Sequence, residues 1–347
     1  MPLSHLRHVG RLTKVKERAA AEGVLVEALA ALFGPSAVTL YEVAGPADDV
    51  RCLERLDWTE GAAAAKSTGA WAAWDTAQPL DTVDGAQGCL ESGAPQWLVQ
   101  PQGYALLLPI CNDNGERRLI RLGFAHPIET QAQLLAEALV GIYRNFLELL
   151  DYSERDTLTG LLNRKSFDET FMKAARQVPA LPAEDEVQDS GCRHAMAGAS
   201  FWLGVVDVDH FKRVNDGFGH LIGDEVLLLL AGVMRMTFRH DDRLYRFGGE
   251  EFVVLLRAAE FAQAELAFER FRHNIERQVF PQVGQITVSI GYTHLNTNDT
   301  PAAAFERADK VVYLAKSSGR NQVQCYENAL ASGRIVEISV GSDMEEF

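Results

Sequence analysis

The 347-residue chain has little cysteine. Cys52, Cys89, Cys111, Cys192 and Cys325 are odd in number and scattered, and none forms a CxxC pair. That excludes a disulfide scaffold and makes a zinc site improbable; reduced thiols in a cytoplasm are expected. Long apolar runs are also missing. No stretch of about 18 apolar residues occurs, so no membrane-spanning helix and no membrane partner are expected. The opening MPLSHLRHVGRLTKVKERAAAEG lacks the apolar core of a secretory signal. Positive charge is outweighed, with 33 Lys and Arg against 48 Asp and Glu and a net charge of −15. A polymeric nucleic acid is therefore a poor partner, because a basic face supplies most of that affinity. A mononucleotide is not excluded, since a few local cations and a metal decide its binding. Gly and Pro number only 28 and 12, which rules out a collagen or a bulk disordered chain. What remains, 47% hydrophobic and 23% charged, is ordinary globular composition with room for about two domains.

The first half reads as a small α+β unit. Residues 1–33 place basic and apolar groups at helical spacing, and Val38–Val43 is β-like. Tyr104–Ile110 and Leu119–Phe124 are apolar runs flanking Asn112-Asp113-Asn114-Gly115, a hairpin signal. Residues 44–100, rich in Ala, Gly and Asp, place no element clearly. A long helical pattern follows, in which Ala132, Leu135, Leu139, Ile142, Phe146 and Leu149 step by 3, 4, 3, 4, 3. This is an a/d seam of under three heptads, open to two readings: a coiled coil, or a helix packed on its own domain.

Gly160 breaks that pattern within DTLTGLLNRK, and a helix resumes over 166–177. Residues 178–200, with Pro179, Pro182 and Glu184-Asp185-Glu186, read as an inserted loop. Beyond it the pattern alternates. Strands are expected at 201–208, 243–247, 252–256 and 285–292, and helices at 224–238, 262–278 and 301–317. The order βαββαβ with an extra helix predicts an antiparallel-containing sheet with helices on one face.

Two of these strands end in carboxylates, Asp207-Val208-Asp209 and, after Gly248-Gly249, Glu250-Glu251. Carboxylates at adjacent strand ends suit a hard cation such as Mg²⁺, which completes its shell with water and substrate phosphates. Lys212, Lys316 and Arg320 are nearby cations for phosphate. Asn215 and Asp224 are short polar groups able to read a base edge. An Asp accepting two N–H bonds selects guanine over adenine. GxxxxGK[ST] is absent, so this is no P-loop site. A lone DxD or GG is usually a solvated turn; the inference rests on their joint occurrence in order.

The runs DVDHFKRVNDGFGHLIGDEVL and RLYRFGGEEFVVLL, with DTLTGLLNR, TVSIGY and AKSSGRN, resemble the GGDEF family of diguanylate cyclases over about Asp156–Tyr326. The signature here is GGEEF, residues 248–252. The resemblance implies a palm-like βαββαβ domain that condenses two GTP into cyclic di-GMP with release of two pyrophosphates, across a homodimer. By position it implies that Asp207, Glu250 and the Val208 carbonyl bind Mg²⁺ or Mn²⁺, two ions per site. Glu251 binds the second ion or assists deprotonation of the 3′-hydroxyl. Lys212, Lys316, Arg320 and the N–H groups of His210 and Phe211 hold phosphates, and Asn215 and Asp224 read guanine. Arg239-His240-Asp241-Asp242 fits the family's RxxD product-inhibition site, which makes Arg239 and Asp242 contacts for cyclic di-GMP. A non-catalytic nucleotide receptor is the alternative, against which the intact Asp207, Lys212, Glu250 and Glu251 speak.

The first half resembles a GAF-type sensor, with PAS as the alternative, taking an unknown small-molecule or protein input. The expected organisation is a sensor over 1–128, a coiled-coil linker over 129–155, the cyclase domain over 156–328 and a tail over 329–347. The expected location is the cytoplasm.

Overall fold

The computed structural model describes residues 10–176 and 200–336, apart from 13, 16, 47, 68–73, 113, 114 and 259. The inserted loop at 178–200, save its last residue, and the tail beyond 336 lie outside the described residues, as does the middle of the 112–115 turn. The chain divides into two compact units, 1–154 and 155–347. Among the described residues no helix is long and apolar enough to cross a membrane.

The first unit runs α1 (Arg18–Phe33), β1 (Ala37–Ala44), β2 (Arg51–Thr59), β3 (Lys66–Ser67), β4 (Gln78–Pro79), α2 (Ala86–Ser92), β5 (Gln96–Gln100), β6 (Gly103–Cys111), β7 (Arg117–Phe124) and α3 (Thr130–Glu154). The strands form one antiparallel sheet, ordered β3-β2-β1-β7-β6-β5 with β4 also on β2. Leu40, Leu106, Leu108, Ile120 and Leu122 pack with Leu25 and Leu29 of α1 and Leu139 and Tyr143 of α3. The alternate residues Val43, Leu107 and Leu119 pack with Leu80 and with Ala86 and Cys89 of α2. This is the period-two signature of a sheet covered on both sides. The β6–β7 connection is longer than a two-residue Asn-Gly turn: Cys111 pairs with Arg117, and the Asn112 amide donates to the Glu116 carbonyl at 3.1 Å.

Helix α3 divides the expected heptad seam. Leu139 is buried in its own unit, and Ile142 and Phe146 pack against that core, whereas Leu135 and Leu149 are exposed. The fully buried stripe is Ala136, Leu139, Val140, Tyr143, Leu147 and Asp151, which is wider than an a/d seam.

The second unit contains β8 (Leu162–Asn163), α4 (Arg164–Ala175), β9 (Phe201–Val208), α5 (Phe211–Phe218), α6 (His220–Thr237), β10 (Arg243–Gly248), β11 (Glu251–Arg257), α7 (Phe261–Arg277), β12 (Val279–Phe280), β13 (Gly284–Gln285), β14 (Val288–His294), α8 (Pro301–Ser317), β15 (Val323–Cys325) and α9 (Tyr326–Ala331). Its sheet is ordered β15-β14-β9-β11-β10-β8, with β12 and β13 as a separate hairpin. Central β9 is antiparallel to both neighbours, and the short outer strands β8 and β15 are parallel to theirs.

The helices cover both faces of this sheet, not one. On one face a Cβ at Gly204 would lie 2.3 Å from the Phe268 ring of α7; on the other, a Cβ at Gly291 would lie 2.2 Å from the Ala308 carbonyl oxygen of α8. Glycine is required where backbone and helix approach so closely. Every residue of β9 is consequently buried, and FWLGVVDV reads as a continuous apolar run, not an alternating one. A run of that kind does not say which of its faces are covered.

Candidate active site

Strand β9 ends at Val208, and the chain turns at once. His210 takes a left-handed conformation (φ 60°) and opens α5. The turn separates two carboxylates that strand alternation alone would leave equivalent. Asp209 is buried and saturated: it accepts from the Ser289 and Thr287 hydroxyls at 2.7 Å each and from the Asn321 amide at 3.0 Å. It closes the sheet end. Asp207, buried as well, stays within the strand near its end, in register with Glu251 of β11 on one side and Ser289 of β14 on the other.

The β10–β11 connection turns through Gly248 (φ 142°) and Gly249 (φ 51°), backbone that side chains rarely permit. It carries Glu250 beside β9, where the Val208 amide donates to the Glu250 carbonyl at 3.4 Å. From α8 the Lys316 ammonium reaches Asp207 Oδ1 at 2.7 Å. Three carboxylates thus meet one paired ammonium. Burial pushes the Asp207 carboxyl above its ordinary value despite Lys316. Burial and then the Asp207 charge do the same to Glu250 and to Glu251. Among the described residues no group of three or more His, Cys, Asp or Glu side chains is arranged as a metal cage.

The remaining site residues surround this edge. Phe211 is buried, whereas Lys212 is exposed in the first turn of α5. The opening turn of a helix presents unpaired N–H groups, here at the end of β9. The Asn215 side chain lies against Gly223, the residue before the exposed Asp224; a Cβ there would meet Asn215 Oδ1 at 2.1 Å. Arg320 is exposed just past α8, again in a left-handed conformation (φ 62°).

Residues 153–322 match the family model for the diguanylate cyclase GGDEF domain. The diguanylate cyclase DgcP of Pseudomonas aeruginosa is 41% identical over 172 residues, which are 49% of this chain and 23% of that protein. The diguanylate cyclase DgcM of Escherichia coli K12 is 32% identical over 204 residues, 58% of this chain and 46% of that one. Residues 153–322 form a GGDEF domain. The chain spans less than half the length of either relative. Among solved structures, the coiled coil and GGDEF domain of DgcB from Caulobacter crescentus in complex with c-di-GMP is 26% identical. Its TM-score is 0.45, covering 57% of this chain and 100% of that one.

Within the GGDEF domain two further features bear on the site. Arg246 joins the opening DTLTG turn to the signature turn: its guanidinium pairs with Asp156 at 3.0 Å and donates to the Gly249 carbonyl at 2.9 and 3.2 Å. Asp156 in turn accepts from the Thr159 amide and hydroxyl. Both motifs are visible in the sequence, but the bond between them is not, since a 90-residue separation leaves no local signal.

The other feature is the Arg239–Asp242 turn. Arg239 is exposed, but Asp242 is buried, and its two carboxylate oxygens accept from the Arg239 and Arg257 amides at 2.9 and 3.3 Å. Burial pushes this carboxyl up to about 7. Arg270 of α7 donates to the Thr237 carbonyl at 2.9 Å, which brings a second guanidinium to this end of α6.

Proposed function

We propose that the chain is a diguanylate cyclase that condenses two GTP into cyclic di-GMP with release of two pyrophosphates. The observation that carries this reading is the meeting of Asp207, Glu250, Glu251 and Lys316 at adjacent strand ends of a GGDEF domain. The relatives named as diguanylate cyclases support it.

The residues fit a divalent cation. Burial raises the proton affinity of all three carboxylates, and the Asp207 charge adds to it at Glu250 and Glu251, which is the electrostatic state a cation relieves. Mg²⁺ needs only one or two carboxylates, so the lack of a three-residue cage is no obstacle. Asp207, Glu250 and the Val208 carbonyl are its proposed ligands, with Glu251 toward a second ion; Mn²⁺ would suit the same oxygens. Bound there, the cation neutralises charge that develops on the phosphates.

The protein groups do the rest. Lys212, Lys316, Arg320 and the N–H groups of His210 and Phe211 hold the triphosphate. Asn215 and Asp224 orient guanine, and Glu251, where it does not hold the second ion, accepts the 3′-hydroxyl proton. Each domain offers one half-site, so a homodimer must align two GTP molecules, and aligned geometry supplies much of the rate. The apolar residues on the outer side of α3 support a dimer contact. The first unit, an antiparallel sheet between helices, supports a GAF-like sensor whose input biases that alignment by population shift. The RxxD turn is proposed to take cyclic di-GMP, with Arg239 as the contact and Asp242 shaping the turn. An Arg239→Ala chain is expected to lose product inhibition. The setting is a cytoplasm, where GTP is available.

The test is chromatography of products after incubating the full chain with GTP or ATP and Mg²⁺. Cyclic di-GMP from GTP alone is expected. GTP bound but never turned over would favour the receptor reading.

A further inference from the structure

Helix α3 carries a glycine at mid-length that its packing does not need. Gly141 has no left-handed backbone, and a Cβ added there would meet nothing within 4 Å. Glycine inside a helix is costly relative to alanine, so its presence asks for another reason. The space beside it is a cavity of about 200 Å³. Sheet geometry opens that space. Strand β5 begins at Gln96, opposite Leu107, so among the described residues the end of β6 has no strand on that side. Pro95, just ahead of β5, and Pro109 of β6 line the cavity without a backbone N–H, and the buried Leu108 and Val140 give it an apolar floor.

Two charged side chains complete the lining, one of each sign, and both stand on α3 with Gly141 between them. Glu137 is held in place. The Trp97 indole of β5 donates to Gln133 Oε1 at 2.9 Å, and Gln133 Nε2 donates to Glu137 Oε1 at 2.8 Å. Arg144 is exposed, and Glu148 approaches it only to 4.0 Å. Helical side chains lean toward the N-terminus, which carries this guanidinium back over Gly141.

We propose that this cavity binds a small zwitterion of amino-acid type, with its carboxylate on Arg144, its ammonium on Glu137 and its apolar body against Leu108 and Val140. The lining decides the class. One acid and one base disfavour a lone anion or a lone cation, and they suit a ligand that brings both charges. The volume lies below the roughly 300–1,000 Å³ of pockets for drug-sized ligands, too small for a nucleotide or a larger cofactor. This deepens the sensor reading of the first unit and rests on it only for the consequence of binding: the helix gripped by the ligand is the one that leads into the GGDEF domain.

The experiment is isothermal titration calorimetry of the full chain with L-valine, L-leucine and L-methionine. Whichever binds is compared with its two single-charge analogues, one lacking the amino group and one lacking the carboxylate (isocaproate and isoamylamine for L-leucine). Saturable binding of at least one amino acid is expected, with both analogues weaker by about tenfold or more, the scale of one charged hydrogen bond. Arg144→Gln and Glu137→Gln should each weaken binding by a similar factor. Gly141→Leu fills the cavity and should abolish binding. Its unfolding temperature should stay at or above that of the wild type, because open space receives the side chain and the helix loses a glycine. No saturable binding of any of the three amino acids overturns the proposal. So does undiminished binding in a folded Gly141→Leu chain, or an analogue that binds as tightly as its amino acid. The two readings fail separately. A chain that binds the amino acid with its cyclic di-GMP output unmoved keeps the site and loses the sensor reading. A chain that binds none of them, yet whose output answers another input, keeps the sensor reading and loses the site.

Discussion

The two units of this chain each gather a cluster of charged side chains, buried in the first and partly exposed in the second, and they balance it differently. In the first unit, Arg118 of β7 pairs with Glu22 of α1 and bonds the Tyr143 hydroxyl of α3 at 3.0 Å. Beside it, Arg18 of α1 pairs with Asp151 and Glu154 of α3 and with Glu116 of the β6–β7 connection. Burial alone would drive both guanidiniums toward neutrality. Glu116, Asp151 and Glu154 around Arg18, and Tyr143 with Glu22 around Arg118, outweigh it and hold both firmly charged. In the second unit, Asp207, Glu250 and Glu251 meet the ammonium of Lys316, and all three carboxyls are pushed up. The first cluster is closed: each charge finds its partner within the fold. The second is open, and it is short of positive charge. Matched buried charge fixes helices to a sheet; unmatched charge at a sheet edge awaits a ligand.

Substitutions should separate the two clusters. The largest effect is expected at the open one. Glu251→Gln should lower turnover by roughly 10²- to 10⁴-fold, the range for losing a positioned acid–base group. Its denaturation midpoint should stay at or above the wild-type value. In the closed cluster the result should invert. Arg118→Ala leaves Glu22 buried without its partner and should cost about 3–5 kcal/mol in urea unfolding. Equal destabilisation by both variants would erase the contrast.

Asp242 makes a smaller, pH-dependent case. Its folded-state value is raised, so the fold holds this proton more tightly than the unfolded chain does. Its contribution to stability is fully present below about pH 4 and is lost as pH rises through about 7. Asp242→Asn should flatten stability against pH across that window, by about 2–4 kcal/mol at most. An unchanged slope would mean that Asp242 is not the group titrating. The smallest expected effect is one of selectivity. Asp224→Ser should reduce preference for GTP over ATP about tenfold, with stability unaffected because Asp224 is exposed.

What the sequence made legible follows the range over which each signal acts. Strand β9 was read with its observed limits, because an eight-residue apolar run between polar segments is a local pattern. So was α8, with Pro301 in its first turn and Thr300 as its cap. The parallel strands β8 and β15 were missed; two or three residues carry no periodicity. Among the described residues, 44–100 hold only short elements among Ala, Gly and Asp, except β2, whose burial departs from strict alternation. The one-faced sheet was the main error, because a strand buried throughout does not reveal its partners.

At the site, residue types in order were enough to nominate Asp207, Glu250, Glu251 and Lys316. Their environments were not. Asp207 and Asp209 differ by a two-residue step, yet one pairs with Lys316 and the other is sealed by three hydrogen bonds. Asp241 and Asp242 are adjacent, and only the second is buried within its turn. Such differences arise from contacts made far along the chain, as between Asp209 and Asn321, 112 residues apart.

The acids of the open cluster are kept for chemistry and not for stability. Asp207→Asn tests this most directly, with thermal unfolding and cyclic di-GMP formation measured on the same preparation. Neutralising a carboxyl already pushed up by burial should leave the unfolding temperature at or above that of the wild type, while product formation from GTP and Mg²⁺ disappears. A variant that unfolds several degrees lower, or that still forms cyclic di-GMP at the wild-type rate, would contradict the account.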